Sequence, residues 1–454
     1  MKRNIVIIGL GPHAQACQYR FLEELSQRGM PLRVRLLVEL QDRQQDVEQF
    51  LQHTSLQPDR IFGLPVSDRN EPSIHPQLEA YLEKIKHTVD GVLICTEPKA
   101  HKKYILWALK NNIDVLTDKP LTAPLLNEQG VGQVQQDFLD IESALKSSSA
   151  RLCLLTNKRV HDVFGSVYQQ LREFVTQYQI PLTHMEVSEG GGVWHLPCEY
   201  HLCENHPYKY GYGVLLHTGF HYVDLMLHYQ SVNHLIGLQE DEIKLHAFAT
   251  TPFDVVHQLT QSVYEKLFPK EDFSDEFKNI SLDNYKKYGE VDVVSSFQFI
   301  KDGAVITQGN LNMLQNTLSA RNSRIMPDNP YKGLGRLSQN HINLFCGPLF
   351  NIRLSFLQPD KLPSGQYDNY VVEIMRNTAI VGGKSYTRYD FEDKAKLPTG
   401  GIGSRNLAAK FAVMAAWMND TCVETNFSLH KRTVMLTARL FEEVFSRRRE
   451  RFNL

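Results

Sequence analysis

Asn4-Ile5-Val6-Ile7-Ile8-Gly9-Leu10-Gly11-Pro12-His13-Ala14 decides how the rest of the chain is read. Ile5 to Ile8 form an unbroken apolar run, the pattern of a parallel strand buried on both faces. The run ends in Gly9-x-Gly11-x-x-Ala14, and a helical stretch follows from about Gln15 to Gln27, with Gly29 placed to cap it. Glycine at the first two positions permits a tight turn and the close approach of a pyrophosphate, which would then sit at the helix N-terminus. Arg35 to Val38 reads as a second strand closing on Glu39. A carboxylate there accepts hydrogen bonds from ribose hydroxyls and repels a 2′-phosphate, so NAD is favoured over NADP, with Arg43 keeping NADP open. A G-x-G-x-x-A turn is a weak signal alone. Strand, turn, helix, strand and acid in that order make it a dinucleotide-binding signature.

Outward from that turn, strands and helices alternate. Arg60 to Leu64 is a short strand, Gln77 to His87 a helix and Gly91 to Cys95 a strand; then come the loop Thr96-Glu97-Pro98 and a helix from Lys99 to Asn111. The strand-like run from Ile113 to Leu116 delivers Thr117-Asp118-Lys119-Pro120. Such alternation predicts a doubly wound parallel sheet of Rossmann type. Ligands of these sheets lie beyond the carboxyl ends of the strands, where Gly9, Glu39, Thr96 and Lys119 all fall. Pro120 has a fixed φ, so Lys119 is an ammonium presented at a rigid strand end.

Composition excludes several classes. At 454 residues the chain is long enough for two domains with sizeable cores. A hydrophobic share of 42% and a charged share of 22% describe a globular protein, and a net charge of −2 leaves no electrostatic footprint for nucleic acid. No run approaches the length of a membrane span. Met1-Lys2-Arg3 before an apolar run imitates a signal peptide, but Gly9 and Gly11 interrupt it and no small-residue cleavage site follows. Seven cysteines fit a reducing cytoplasm better than a disulfide framework.

The first domain is expected over residues 1–157 and the second over 158–454. A helix near His161 to Tyr178 leads to a strand at Thr183 to Ser188 and a break at Gly190-Gly191-Gly192. Further strands are expected at Lys244–Thr250, Val291–Ile300, Ala304–Asn312, Ile342–Phe345, Phe350–Phe356 and Tyr370–Met375. Strands dominate, so the second domain should be α+β with a large, mostly antiparallel sheet. Insertions are expected near 254–290 and 319–340, and closing helices near Leu407–Trp417 and His430–Arg449. The basic run from Arg447 to Arg451 suits a solvated helix end.

Chemistry concentrates between Gly213 and His228, a stretch apolar nearly all round. His217, His221, Asp224 and His228 recur at i, i+4, i+7 and i+11, which on a helix is one polar stripe. Such a stripe on a buried helix turns toward a site or a buried hydrogen-bond network. Upstream, His195, Cys198, His201, Cys203 and His206 fall within twelve residues, interleaved by Trp194, Tyr200, Tyr208, Tyr210 and Tyr212. No paired C-x-x-C or H-x-x-x-H is present, so no metal is expected. Aromatic faces and hydrogen-bonding side chains would instead line a sugar or polyol pocket.

Gly9-x-Gly11-x-x-Ala14, Thr96-Glu97-Pro98 with His101, Thr117-Asp118-Lys119-Pro120, Asn157-Lys158-Arg159 and the segment from Gly211 to Asp224 resemble the Gfo/Idh/MocA family of NAD(P)-dependent oxidoreductases. The resemblance covers the first domain well and the second in outline. It implies hydride transfer between nicotinamide and a hydroxyl or carbonyl of a sugar, cyclitol or related small molecule. Cofactor-binding positions would be Gly9, Gly11, Pro12, His13, Ala14, Glu39, Thr96, Glu97, Pro98, His101, Asp118 and Lys119. His221 would be the proton acceptor and Lys119 its partner on the substrate oxygen, with a cis Lys119–Pro120 bond. Lys158, Arg159, Trp194, Tyr212 and Asp224 would bind substrate. Two departures stand out. Asp118 replaces the family's usual Glu, and His217 stands where the family has its catalytic Asp. An imidazole still shuttles a proton near neutrality but lends no negative charge to Lys119 or His221. The family also holds nucleotide-dependent regulators without turnover and NAD-dependent glycosidases, which remain the alternatives. The expected assembly is a homodimer or homotetramer through the second-domain sheet.

Overall fold

The computed structural model describes residues 3–123, 130–203, 206–322, 334–357, 369–421 and 424–453. The chain divides into two compact units, one of residues 1–162 and 394–435, the other of 163–393 and 436–454.

In the first unit six strands form an all-parallel sheet: β1 (Arg3–Ile8), β2 (Leu32–Leu40), β3 (Ile61–Leu64), β4 (Gly91–Ile94), β5 (Asp114–Thr117) and β6 (Leu152–Leu154). Their order is β3-β2-β1-β4-β5-β6. The order reverses beside β1, the switch point where such sheets leave a crevice for a dinucleotide. The continuous apolar runs are explained by burial. Ile5, Val6, Ile7 and Ile8 are all at most 1% exposed, because helices cover both faces.

The sequence assigns everything after residue 157 to the second domain, and the structure corrects this. Residues 394–435 return to the first unit. The helix Arg405–Met418, capped by Ser404, packs Phe411, Met414 and Trp417 into the same core as Ile5, Ile7, Phe21 and Leu37. Phe21 meets Phe411 edge-on at 5.0 Å, and Trp417 lies so close over Gly91 that a Cβ there would fall 2.7 Å from its ring. An amphipathic helix announces that it has an apolar face, not which core the face joins.

In the second unit eight strands form one sheet: β7 (His184–Gly190), β8 (Glu242–Thr250), β9 (Asp292–Lys301), β10 (Ala304–Leu314), β11 (Gln339–Cys346), β12 (Phe350–Leu357), β13 (Asn369–Arg376) and β14 (Tyr386–Glu392). The order is β14-β13-β12-β11-β7-β10-β9-β8, antiparallel throughout except for the parallel pair β7–β10. Burial alternates along β12, with Phe350, Ile352, Leu354 and Phe356 turned inward. Phe174 of the helix Asp162–Tyr178 stacks on Phe350 at 4.1 Å, fixing that helix to the sheet. β14 was not anticipated. It is a polar edge strand whose one-sided apolar signal is missing, with Arg388 and Asp390 paired on its surface.

The segment between β8 and β9 folds as four short helices, Pro252–Gln258, Gln261–Leu267, Ser274–Lys278 and Leu282–Lys287. The first opens on a capping box between Thr251 and Asp254. Half of the second expected insertion, residues 323–333, lies outside the described residues.

Candidate functional site

Residues of the chemistry anticipated above fall in both units, described in turn. In the first, the Gly9 turn crosses the loop after β4. Gly9 has φ of 87°, donates its N–H to Val38 O at 2.8 Å, and leaves no room for a Cβ, which would lie 2.8 Å from Thr96 Cγ2. Gly11 differs: a Cβ there would meet nothing within 4 Å. The open space over Gly11 is where a pyrophosphate fits against the turn, and a dinucleotide is what this turn suits. The helix that follows begins at Pro12–Ala14, winds one π turn over Gln15–Tyr19 and continues as Arg20–Gln27.

Glu39 ends β2 nearly buried. Its Oε2 accepts the Leu10 N–H at 2.7 Å and Oε1 the Leu40 N–H at 2.8 Å. The carboxylate therefore braces the glycine turn, and its remaining lone pairs are those a ribose would use. Arg43 leans to Asp46 at 4.0 Å.

At the end of β5 the Lys119–Pro120 bond is cis. Asp118 Oδ1 accepts the Lys119 N–H at 2.8 Å, so this acid fixes the backbone that carries the lysine. His101, expected as a cofactor contact, sits beneath the two loops. Its ring is wholly buried, with Nε2 3.0 Å from Thr96 O and Nδ1 3.3 Å from Thr117 Oγ1, tying the β4 and β5 loops together. Burial holds it below the ordinary histidine range, hence neutral. His13 Nε2 lies 3.3 Å from Lys410 Nζ, and Glu97 pairs with Arg69 at 3.6 Å. Pro12 opens the helix and Ala14 packs into the core beneath it, so both shape the turn; Pro98 does the same for the turn Pro98–Ala100. Asn157 bonds Asn406 at 2.6 Å, Lys158 is nearly buried, and Arg159 reaches Leu429 O at 3.5 Å.

In the second unit the histidine helix starts with a π turn, Leu215–Gly219, and continues as Phe220–Gln230. Such turns recur at functional positions. Its start is built by two backbone contacts only glycine allows. A Cβ on Gly213 would sit 1.9 Å from Glu290 O, and one on Gly289 would sit 2.0 Å from the Tyr212 carbonyl. Glu290 O accepts the Val214 N–H at 2.9 Å and Glu290 Oε1 the Leu215 N–H at 3.1 Å, capping the helix. Burial raises this carboxyl above its usual range, opposed by Arg448, whose guanidinium bonds Tyr288 O and Gly211 O.

His217, in the π turn, is caged by rings. His206 stacks on it with centroids 4.8 Å apart and planes 14° from parallel, while Tyr208 at 5.5 Å and Tyr212 at 5.8 Å meet it edge-on. His217 is 8% exposed, whereas His206 and His221 reach solvent. Lower on the stripe, Asp224 is fully buried, and His228 stacks on Tyr168 at 3.9 Å. His206 was read only as one of a cluster. Its partnership with His217 has no spacing signal, because a loop over residues 207–213 lies between them.

The aromatic segment divides. Trp194 donates to Tyr264 Oη at 3.1 Å and packs on Phe268, inside the inserted helices. Glu199 and Arg321 form a buried fork, Nη1–Oε2 2.5 Å and Nη2–Oε1 2.7 Å, that neither sequence position advertised. His195 lies 4.9 Å from Tyr200 and is held down to about 3 by burial, then by Arg321. Burial pushes Cys198 up to about 11 and Cys203 up to about 12, leaving both thiols protonated. Among the described residues no three His, Cys, Asp or Glu side chains converge as metal ligands.

Residues 3–136 match the model of the oxidoreductase family with an NAD-binding Rossmann fold, GFO_IDH_MocA. No curated protein matches the sequence. Solved structures of the same fold include the aldose-aldose oxidoreductase from Caulobacter crescentus complexed with glycerol, at 12% identity, 98% of both chains and a TM-score of 0.56. KijD10, a 3-ketoreductase from Actinomadura kijaniata in complex with NADP and TDP-benzene, gives the same identity, coverage and score. An oxidoreductase from Agrobacterium radiobacter, in complex with NAD+, L-tartaric acid and magnesium, is 11% identical over 98% of this chain and 96% of its own, with a TM-score of 0.55. The six-stranded parallel sheet, its glycine turn and this family match agree: residues 3–136 form the NAD-binding Rossmann domain of the Gfo/Idh/MocA oxidoreductase family.

Proposed function

We propose that the chain is an NAD-dependent dehydrogenase or reductase acting on a CH–OH or carbonyl centre of a sugar, cyclitol or related polyol. The observation that carries this is the switch-point turn, where Gly9 and Gly11 open a pyrophosphate seat, Glu39 ends β2 and Lys119 ends β5. Bound nicotinamide supplies the hydride chemistry. Lys119 is assigned to hold the substrate oxygen, and His221 to take or return its proton. His217 and Tyr212 are assigned to the substrate side with Lys158 and Arg159, whereas Trp194 and Asp224 support the fold around them.

The change from Asp to His217 favours one second reading, a nucleotide-binding regulator without turnover. An NAD-dependent glycosidase is the third. No described helix is long and apolar enough to cross a membrane; on its cysteine content, seven in a chain of this length, we assign the chain to the cytoplasm. A homo-oligomer through the open face of the eight-stranded sheet completes the reading.

Mass spectrometry of the nucleotide that copurifies, followed by NADH formation on a panel of sugars and cyclitols, tests the proposal. Bound NAD with turnover of at least one polyol supports it. Bound nucleotide with no redox turnover points to the regulator, and hydrolysis of a nitrophenyl glycoside without net NADH to the glycosidase.

A further inference from the structure

We propose that Lys410, carried by the returning helix Arg405–Met418, is a further cofactor-binding residue, and that its ammonium beside His13 holds the pyrophosphate of the dinucleotide. The inference rests on the nucleotide half of the reading above and does not depend on the substrate.

The glycine turn by itself is short of donors. Of its main-chain N–H groups, Gly9 donates to Val38 O and Leu10 to Glu39 Oε2, while Pro12 has none. Glu39 also sets a negative charge against the turn. A pyrophosphate brings more negative charge to the same place, and a cation from outside the motif would hold it by a charge-assisted hydrogen bond.

The returning helix supplies one. Ser404 caps it by accepting Leu407 N–H at 3.1 Å, and Phe411, Val413, Met414 and Trp417 lock it into the core of the parallel sheet. With that face buried, Asn406 and Lys410 stand one turn apart on the next. Asn406 Oδ1 accepts from Asn157 Nδ2 at 2.6 Å, just past the end of β6. One turn on, Lys410 Nζ lies 3.3 Å from Nε2 of His13, a residue of the glycine motif itself. An ammonium only donates, so the imidazole accepts and aims the lysine at the turn. Its charge reaches the π turn below, where it opposes the burial that pushes the Cys17 thiol up; Asp118 and Arg20 act there more weakly. Among the described residues no carboxylate pairs with Lys410. Two residues before His13, Gly11 leaves its Cβ position open, so cation, imidazole and open ground lie along one turn.

Calorimetric titration of the full chain, stripped of copurified nucleotide, with NADH, ADP-ribose and adenosine tests this. Lys410→Met, similar in length but uncharged, should weaken NADH and ADP-ribose about tenfold or more and leave adenosine, which has no phosphate, within about twofold. The fall of NADH affinity with added salt should become shallower, since one cation fewer meets the phosphates. Lys410→Arg keeps the charge and should stay close to the parent for all three compounds. Melting curves accompany each variant, and Lys410→Gln repeats the test if the methionine variant melts early. The assignment is overturned if Lys410→Met binds NADH as the parent does. It is equally overturned if adenosine weakens in the same proportion, for the lysine would then shape the pocket without touching phosphate. A parent chain that binds neither NADH nor ADP-ribose ends this assignment and the redox reading together. The expected contrast between NADH and adenosine, with no turnover of any polyol, would uphold the assignment while ending the redox reading; polyol turnover with NADH affinity unaltered in Lys410→Met would do the reverse.

Discussion

Gly9 and Gly11 are interchangeable in a motif and not in the molecule. Gly9 is needed for its φ and for contact with Thr96, whereas Gly11 is needed only for what is absent above it. Gly11→Ala should therefore fold normally, even gaining about 0.4–1 kcal/mol from the stiffer unfolded chain. NAD affinity should nevertheless fall at least tenfold, as read by fluorescence titration beside a melting curve. Glu39 gives a second expectation. With its carboxylate braced on Leu10 N–H, it meets a 2′-phosphate with fixed negative charge, so NADH should bind more tightly than NADPH. Equal affinities would defeat this and turn attention to Arg43. For the proton, His221→Ala should lower kcat by about 10²–10⁴ with NAD binding nearly intact, the range for a lost general base. Unchanged turnover in both His221→Ala and His217→Asp would make the stripe structural.

The histidine helix shows what an element's sequence does and does not disclose. Its apolar surround and polar stripe were legible from Gly213 to His228, as were most strands of both sheets within a few residues, β14 excepted. The π turn was not, nor the fact that His228 departs to Tyr168. Nor could Glu290, seventy-five residues downstream of Leu215, be recognised as its cap. Local periodicity reports which face is apolar; it carries no information about loops that cross from elsewhere. Gly213→Ala probes that crossing. With a Cβ 1.9 Å from Glu290 O, backbone must shift, and a loss of roughly 2–4 kcal/mol in chemical denaturation is expected. A loss below about 0.5 kcal/mol would mean the helix start is not held there.

For the molecule as a whole, buried histidines set the acid side of stability. His101, His161 and His195 are all held below 6.5, chiefly by burial, His161 also by Lys158 and Arg405. The unfolded chain takes up protons below its ordinary histidine value while the folded chain does not. Stability is thus whole above about pH 6.5 and lost as pH falls toward the folded values. For His195, from 6.5 to about 3, the loss approaches roughly 4–5 kcal/mol at the acid end. Glu290 and Asp292, raised by burial, act in the opposite sense, losing stability as pH rises through their elevated values. Melting temperature should therefore decline steadily from pH 7 to pH 5, with a shallower decline in His195→Gln. A flat profile over that interval would contradict the burial of all three rings.

The return of residues 394–435 to the first unit bears on how the chain is made. A ribosome that has released residues 1–162 has released every strand of the parallel sheet but not Phe411, Met414 or Trp417. Until some 250 further residues emerge, Phe21 and its neighbours keep a greasy flank open to chaperones and to other nascent chains. The nucleotide-binding half should accordingly be insoluble when cloned as a single N-terminal fragment. Joining 1–162 to 394–435 through a short flexible linker should rescue it, since the missing layer then arrives with the sheet it covers.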